Sequence, residues 1–160
     1  MLYLKQAESV EEIEHILKDP EIFGRISEDG IVAASYEVPF DGHQIYMKIM
    51  VDDQLIGVWI VYPDNRTTLN IHCNILKDHR EHGKSAGNLI LEWFALESED
   101  SYQKLNAEIP VIYNDVYHFT KSFGFADEGI NRQSIMKGGT IVDQYRLGIT
   151  RAEVIEYLEG

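Results

Sequence analysis

Residues 44–110 hold strand, helix and strand patterns in close succession, and that order is the strongest constraint on the fold. "QIYMKIMV" and "LIGVWIVY" are β-branched, apolar runs joined through Asp52-Asp53-Gln54, the spacing of a β-hairpin. Pro63-Asp64-Asn65 supplies the next turn, and "TTLNIHCNIL" follows as a third strand. From about Gly83 to Leu96, Ala86, Leu89, Ile90, Trp93 and Phe94 recur at helical spacing, and "KLNAEIP" is again a strand. A three-strand meander followed by a strand–helix–strand crossover confines the chain to a mixed α/β class with a mixed central sheet flanked by helices.

The flanks fit that plan. "YLKQA" reads as a first strand, and Ser9 with Glu12 forms a capping box ahead of the helix face Ile13, Ile16 and Leu17. Asp19-Pro20 opens a second short helix that ends near Ser27, with Asp as cap and Pro in the first turn. "IVAASY" at 31–36 is expected to form a short strand. "NDVYHFTKS" is a short helix stopped at Phe123-Gly124-Phe125, and "GINRQSIMK" and "TIVDQYRLGI" form a hairpin around Gly138-Gly139. Thr150 with Glu153 caps a last helix, expected at 150–160, that packs or forms an interface and so allows a homodimer.

At 160 residues, 44% apolar and 26% charged, the chain is expected to fold as one domain, 1–160. It has no apolar run of membrane-spanning length, and "MLYLKQAESVEE" lacks the basic-then-apolar plan of a signal peptide. Cys73 is the only cysteine, which rules out an internal disulfide and favours the cytoplasm. A net charge of −13 repels phosphate backbones, so neither nucleic acid nor membrane is an expected partner, whereas cationic amines are drawn in.

Against that field, Lys77, Arg80 and Lys84 gather at one strand-to-helix junction with His79, His82 and Gly83. A helix N-terminus leaves about four backbone N–H groups unpaired and carries roughly half a positive charge. A glycine there lets a ligand approach the backbone. The junction suits a pyrophosphate, although a solvated surface turn accounts for the same residues equally well. "HGKS" is not a Walker-type loop, because position 78 is Asp where the upstream glycine would stand. His79-x-x-His82 is too sparse to argue a metal site.

Arg80-Glu-His-Gly83-Lys-Ser85 after a strand resembles the R/Q-x-x-G-x-G/A loop of the GCN5-related N-acetyltransferases, with Ser85 in the last position. Residues 122–151 are similar to the closing section of the ribosomal-protein N-terminal acetyltransferase branch, through Gly124-Phe125, Glu128-Gly129, Arg132, Gly139 and Asp143. The general pattern is also similar to acetyltransferase-like proteins of bacteriophage genomes. The resemblance spans roughly residues 1–150 and implies that fold and the cofactor acetyl-CoA. It implies that Ile75, Leu76, Arg80, Glu81, His82, Gly83, Lys84, Ser85, Asn114 and Phe119 contact the cofactor, with a backbone N–H near Leu76 meeting the developing oxyanion. The tyrosine that serves as general acid five residues before the Phe of the Gly-Phe pair is Thr120 here, and Tyr117 lies one helical turn earlier as a substitute. Asn114 stands eleven residues before Phe125 where twelve is the family spacing.

On strand 69–75, Leu69, Ile71, Cys73 and Ile75 alternate with Asn70, His72 and Asn74. His72 is therefore expected on a wet face, and Glu108 likewise on the next strand, as an acid/base pair. Trp59, Trp93, Phe94 and Phe125 are expected in the core. An amine must be neutral to attack: a lysine of pKa ~10.4 is about 0.04% neutral at pH 7, an α-amine near ~7.8 more than ~10%. The expected activity is acetyl transfer to a primary amine, whether a protein N-terminus, a lysine or a small molecule. The alternative is a non-catalytic module that keeps the fold for binding or assembly, as in a phage accessory or virion-assembly protein.

Overall fold

The computed structural model describes Met1–Gly160. Seven strands form one mixed sheet in the order β1-β2-β3-β4-β5-β7-β6. The chain divides into two compact units, one of Met1–Pro63 with Ile71–Ile90, the other of Asp64–Asn70 with Leu91–Gly160.

In the first unit, β1 (Leu2–Gln6) pairs antiparallel with β2 (Ile45–Val51), and β2 with β3 (Gln54–Pro63) across the expected turn. Glu12 accepts the N–H of Ser9 at 2.9 Å, as a capping box requires. The helix it opens begins as a 3-10 turn, Val10–Glu12, before α1 (Glu14–Leu17). Ile13, Ile16 and Leu17 are at most 1% exposed, and each contributes on the order of 1.5–3 kcal/mol by leaving water. α2 (Pro20–Ile26) is capped by Asp19, whose carboxylate accepts Glu21 N–H at 3.0 Å. Lys48 points into this unit and is 9% exposed; its ammonium meets Glu12 at 2.6 Å, which answers the cost of burying a charge.

Ile31–Tyr36 is not a strand. Ala33–Ser35 forms a single 3-10 turn, and Ile31 and Val32 are exposed. Their β-branched side chains favour extended backbone only where a neighbouring strand gives them a surface to pack on, and no strand pairs there.

β4 (Thr68–Ile75) runs on to a 3-10 turn, Lys77–His82, and then α3 (Gly83–Leu96). The buried stripe of α3 is Gly83, Ala86, Gly87, Ile90, Leu91 and Phe94, while Leu89 and Trp93 are only half-buried. The buried face is thus rotated by part of a turn from the expected one, and Leu91 takes the place of Leu89. Trp93 is not a core residue; Trp59, Phe94 and Phe125 are.

In the second unit, β4 and β5 (Lys104–Pro110) run parallel, with Asn70 beside Asn106. β5 pairs antiparallel with β7 (Thr140–Thr150), and β7 with β6 (Ala126–Lys137). Gly138 and Gly139 take φ of +61° and +79° in the connecting turn, a conformation that side chains disfavour. α4 (Asn114–Lys121) lies between β5 and β6 in the chain, and α5 (Arg151–Glu159) closes it, capped by Thr150 through Glu153 N–H at 3.2 Å. Arg151 clamps the end of α3: its guanidinium donates to the carbonyls of Phe94, Ala95, Glu99 and Tyr102 and stands 4.5 Å from the Phe94 ring. No helix is long and apolar enough to cross a membrane.

Candidate active site

Residues Arg80–Ser85 sit where β4 leaves the sheet, in the turn Lys77–His82 and the start of α3. Gly57 on β3 lets the two backbones close up: a Cβ there would stand 2.4 Å from the Asn74 carbonyl oxygen. Leu76 N–H then donates to Ile56 at 2.9 Å, and Trp59 Nε1 donates to the Ala86 carbonyl at 3.2 Å, tying α3 to β3. Asn74, expected on the wet face, is instead 5% exposed and donates to the Val58 carbonyl at 3.3 Å. This close crossing also corrects the oxyanion donor. The Leu76 N–H is already engaged by Ile56, so it is not available to a ligand.

Gly83 has φ −57° and ψ −43°, ordinary helical values that any residue adopts, so a bare backbone is what the glycine provides. Its N–H closes a 3-10 bond to the Arg80 carbonyl. Part of the expected donor set at the helix start is thereby used within the turn. Arg80, Glu81, Lys84 and Ser85 are exposed, and His79 and His82 half-buried. The His79 and His82 rings stack 6.4 Å apart, and His82 Nε2 stands 3.6 Å from a Glu81 oxygen. Ile75 is buried at the strand end and Leu76 half-buried beside it.

His72 is half-buried on β4, as expected for the polar face. Its imidazole stacks on Tyr62 with ring centres 5.9 Å apart and planes 12° from parallel, and its Nε2 lies 3.4 Å from the Tyr62 hydroxyl. Strand alternation alone does not single out Tyr62. Carried along the strands, the Leu76 N–H to Ile56 bond and the approach of Gly57 to Ile75 set Tyr62 two positions beyond the residue facing His72, the diagonal neighbour of a sheet. Burial pushes the Cys73 thiol up to about 12, so it is no nucleophile at neutral pH.

The remaining candidates lie in the second unit. Glu108 accepts from Arg146 Nε at 2.8 Å across β5 and β7. Tyr117 donates its hydroxyl proton to Asp127 at 2.7 Å, and Asp127 also holds the Lys121 ammonium at 2.6 Å. The Asp127 bond raises the Tyr117 hydroxyl above its ordinary range, and the Lys121 ammonium lowers the Asp127 carboxyl. Thr120 turns its hydroxyl back onto its own helix, donating to the Val116 carbonyl at 2.9 Å. Both candidate acids therefore have their protons committed inside this unit. Phe119 packs edge-on against Phe123 at 4.9 Å, and Asn114 is the exposed first residue of α4.

The motif at 122–151 has a structural account. Asp143 accepts Gln133 N–H at 2.7 Å with its side chain and Val111 N–H at 3.0 Å with its carbonyl, pinning the irregular stretch of β6. Glu128 reaches Lys104 at 2.5 Å and lies over Gly148, where a Cβ would meet its carboxylate at 2.6 Å.

No protein-family model and no curated protein sequence matches the chain. Solved structures do. The crystal structure of spermidine N-acetyltransferase from Vibrio cholerae in complex with CoA and spermine superposes with a TM-score of 0.81, at 16% identity, over 96% of this chain and 98% of that one. The chain has the GCN5-related N-acetyltransferase fold. Mutant forms of the spermidine/spermine N-acetyltransferase SpeG from the same organism match with a TM-score of 0.77 at 17% identity, over 97% and 96% of the two chains. The fold expected from the loop and closing motifs is the one found.

Proposed function

We propose that this chain is an acetyl-CoA-dependent N-acetyltransferase that moves an acetyl group to a primary amine. The observation that carries the reading is the β4–turn–α3 junction, with Arg80, Gly83, Lys84 and Ser85, in a chain of acetyltransferase fold along 96% of its length. The junction fits a pyrophosphate in charge and in form. Two exposed cations flank a glycine whose torsions do not require one, and the next small residue, Ser85, is exposed.

Arg80 and Lys84 are assigned to the phosphates, with the backbone and side chains of Glu81, His82, Gly83 and Ser85 beside them. Ile75 and Leu76 at the strand end are assigned to the rest of the cofactor; for Asn114 and Phe119 on α4 a cofactor role rests on the family resemblance alone. Acetyl-CoA, when bound, supplies the acyl group already activated as a thioester. His72, held by Tyr62, accepts the proton that the substrate ammonium gives up, directly or through water, and the neutral amine so formed attacks the thioester carbonyl. Glu108, held by Arg146, positions the cationic amine. Neither Tyr117 nor Thr120 is needed to protonate the leaving sulfur, since a thiol of pKa near ~8.5 departs readily as thiolate.

The net charge of −13 favours a cationic acceptor. A polyamine is the first class to test, because the superposed enzyme is a spermidine N-acetyltransferase. A protein N-terminus is the second, because residues 122–151 are similar to the ribosomal-protein branch. The experiment is thiol release from acetyl-CoA with spermidine, lysine and N-terminal peptides in separate reactions. Turnover with one class is expected, with a fall of ~10²–10⁴ in kcat for His72→Ala and an unchanged affinity for CoA. Unchanged turnover removes His72 as the base, and no turnover with any amine favours a non-catalytic module.

A further inference from the structure

The geometry points to a binding site for one divalent cation of the zinc, nickel or copper class, built on the 3-10 turn Lys77–His82 from His79, Glu81 and His82. One ligand atom from each of the three lies within 4.8 Å of the other two. His82 Nε2 and Glu81 Oε1 are already 3.6 Å apart. Two donors held at about 2.1 Å from one tetrahedral metal sit roughly 3.4 Å apart, so this pair is near chelating distance. The His79 ring lies stacked on that of His82, 23° from parallel, with a ring nitrogen within 4.8 Å of the other two ligand atoms. The three ligands are spaced i, i+2 and i+3 on one turn, so closing the chelate orders few residues.

Local charge selects the metal. Lys77, Arg80, Lys84 and the positive end of α3 oppose any cation, and Glu81 supplies the only carboxylate of the set. Magnesium and calcium bind chiefly through oxygen ligands and charge, and a site with two imidazoles and one carboxylate in this field gives them little. Zinc, nickel and copper favour imidazole and stand high in the affinity order for such ligands. Three protein ligands leave a coordination position for water or an exogenous group. The site shares its turn with the proposed phosphate-binding residues but does not depend on that reading.

The test is calorimetric titration of the full chain with zinc chloride and, separately, nickel chloride. CoA is left out, because its thiol and phosphates bind these metals themselves. One equivalent is expected to bind in the micromolar range, with no heat from magnesium chloride. His79→Asn and His82→Asn are each expected to weaken binding by at least about tenfold, as losing even an outer partner of a metal site does. His15→Asn, an exposed histidine on α1, is expected to leave it unchanged. Cobalt(II) added to the unsubstituted protein gives a readout that no variant's folding can confound: a visible d–d band that one equivalent of zinc abolishes. Absence of saturable binding below the millimolar range, binding that survives both histidine substitutions, or a cobalt spectrum identical to that of the aquo ion overturns the inference.

Discussion

Gly57→Ala strikes the strand crossing on which the turn proposed to hold the phosphates is mounted. The added Cβ would stand 2.4 Å from the Asn74 carbonyl oxygen, 3.0 Å from Ile75 Cα and 3.1 Å from Ile75 Cγ1. Ordinary contact begins near 3.4 Å, so β3 and β4 must part by about 1 Å. The nearest atom is backbone, so no side chain can swing aside to relieve the clash. The bonds Leu76 N–H to Ile56 (2.9 Å) and Asn74 Nδ2 to Val58 (3.3 Å) flank the site and would be drawn out of range together. Overpacking costs about 1–3 kcal/mol and each of the two lost hydrogen bonds about 1 kcal/mol, giving a destabilisation of about 3–5 kcal/mol. Urea unfolding measures it, and CoA affinity of the folded fraction is expected to fall as the turn shifts. Gly24→Ala is the control: it lies in α2 with nothing within 4 Å of a Cβ, and is expected to stabilise by roughly 0.5–1 kcal/mol. A Gly57→Ala protein within about 0.5 kcal/mol of the parent, at unchanged m-value, refutes the reasoning.

Glu12 is held down from 4.5 to about 2 by the Lys48 ammonium first and then by the N–H groups of Glu8 and Ser9. Between those values the unfolded chain binds the extra proton, so this contribution to stability is full above pH 4.5 and is lost as pH falls to about 2. Glu12→Gln is expected to flatten that part of a Tm-against-pH profile. Arg151→Ala removes the donors to the Phe94, Ala95, Glu99 and Tyr102 carbonyls and is expected to destabilise by about 2–4 kcal/mol in urea, with little effect on the KM for acetyl-CoA. Tyr117→Phe breaks the bond to Asp127 and is expected to leave kcat within about threefold, far short of the ~10²–10⁴ that a general acid supplies. A larger drop would restore Tyr117 as the acid.

Local signals carried the fold a long way. The patterns at 83–96 and 104–110 gave α3 and β5 their observed limits, because periodicity and flanking polar residues agree there. Ile31–Tyr36 misled because β-branched composition states a preference that only a partner strand fulfils. The positions of His72 on β4 and of the turn after it were legible, because neighbouring residues define both. The fittings of the candidate site were not. Arg146 lies 38 positions from Glu108, and Asp127 lies ten from Tyr117 across a helix end, so neither pairing leaves a periodic trace. The Leu76 N–H looked available because its partner, Ile56, sits on the preceding strand at a crossing that only Gly57 hints at. The alternation on β4 placed His72 correctly but not Asn74, whose amide is buried against Val58 where the two strands close up.

The central claim is that the turn after β4 holds the pyrophosphate of acetyl-CoA. Calorimetric titration of the purified chain with CoA tests it most directly, alongside Arg80→Ala, whose exposed side chain can be removed without touching the core. Saturable one-to-one binding is predicted, weakened about 10- to 100-fold by Arg80→Ala, the worth of one charge-assisted hydrogen bond. Absence of CoA binding up to millimolar concentration, or binding that Arg80→Ala leaves untouched, contradicts the account.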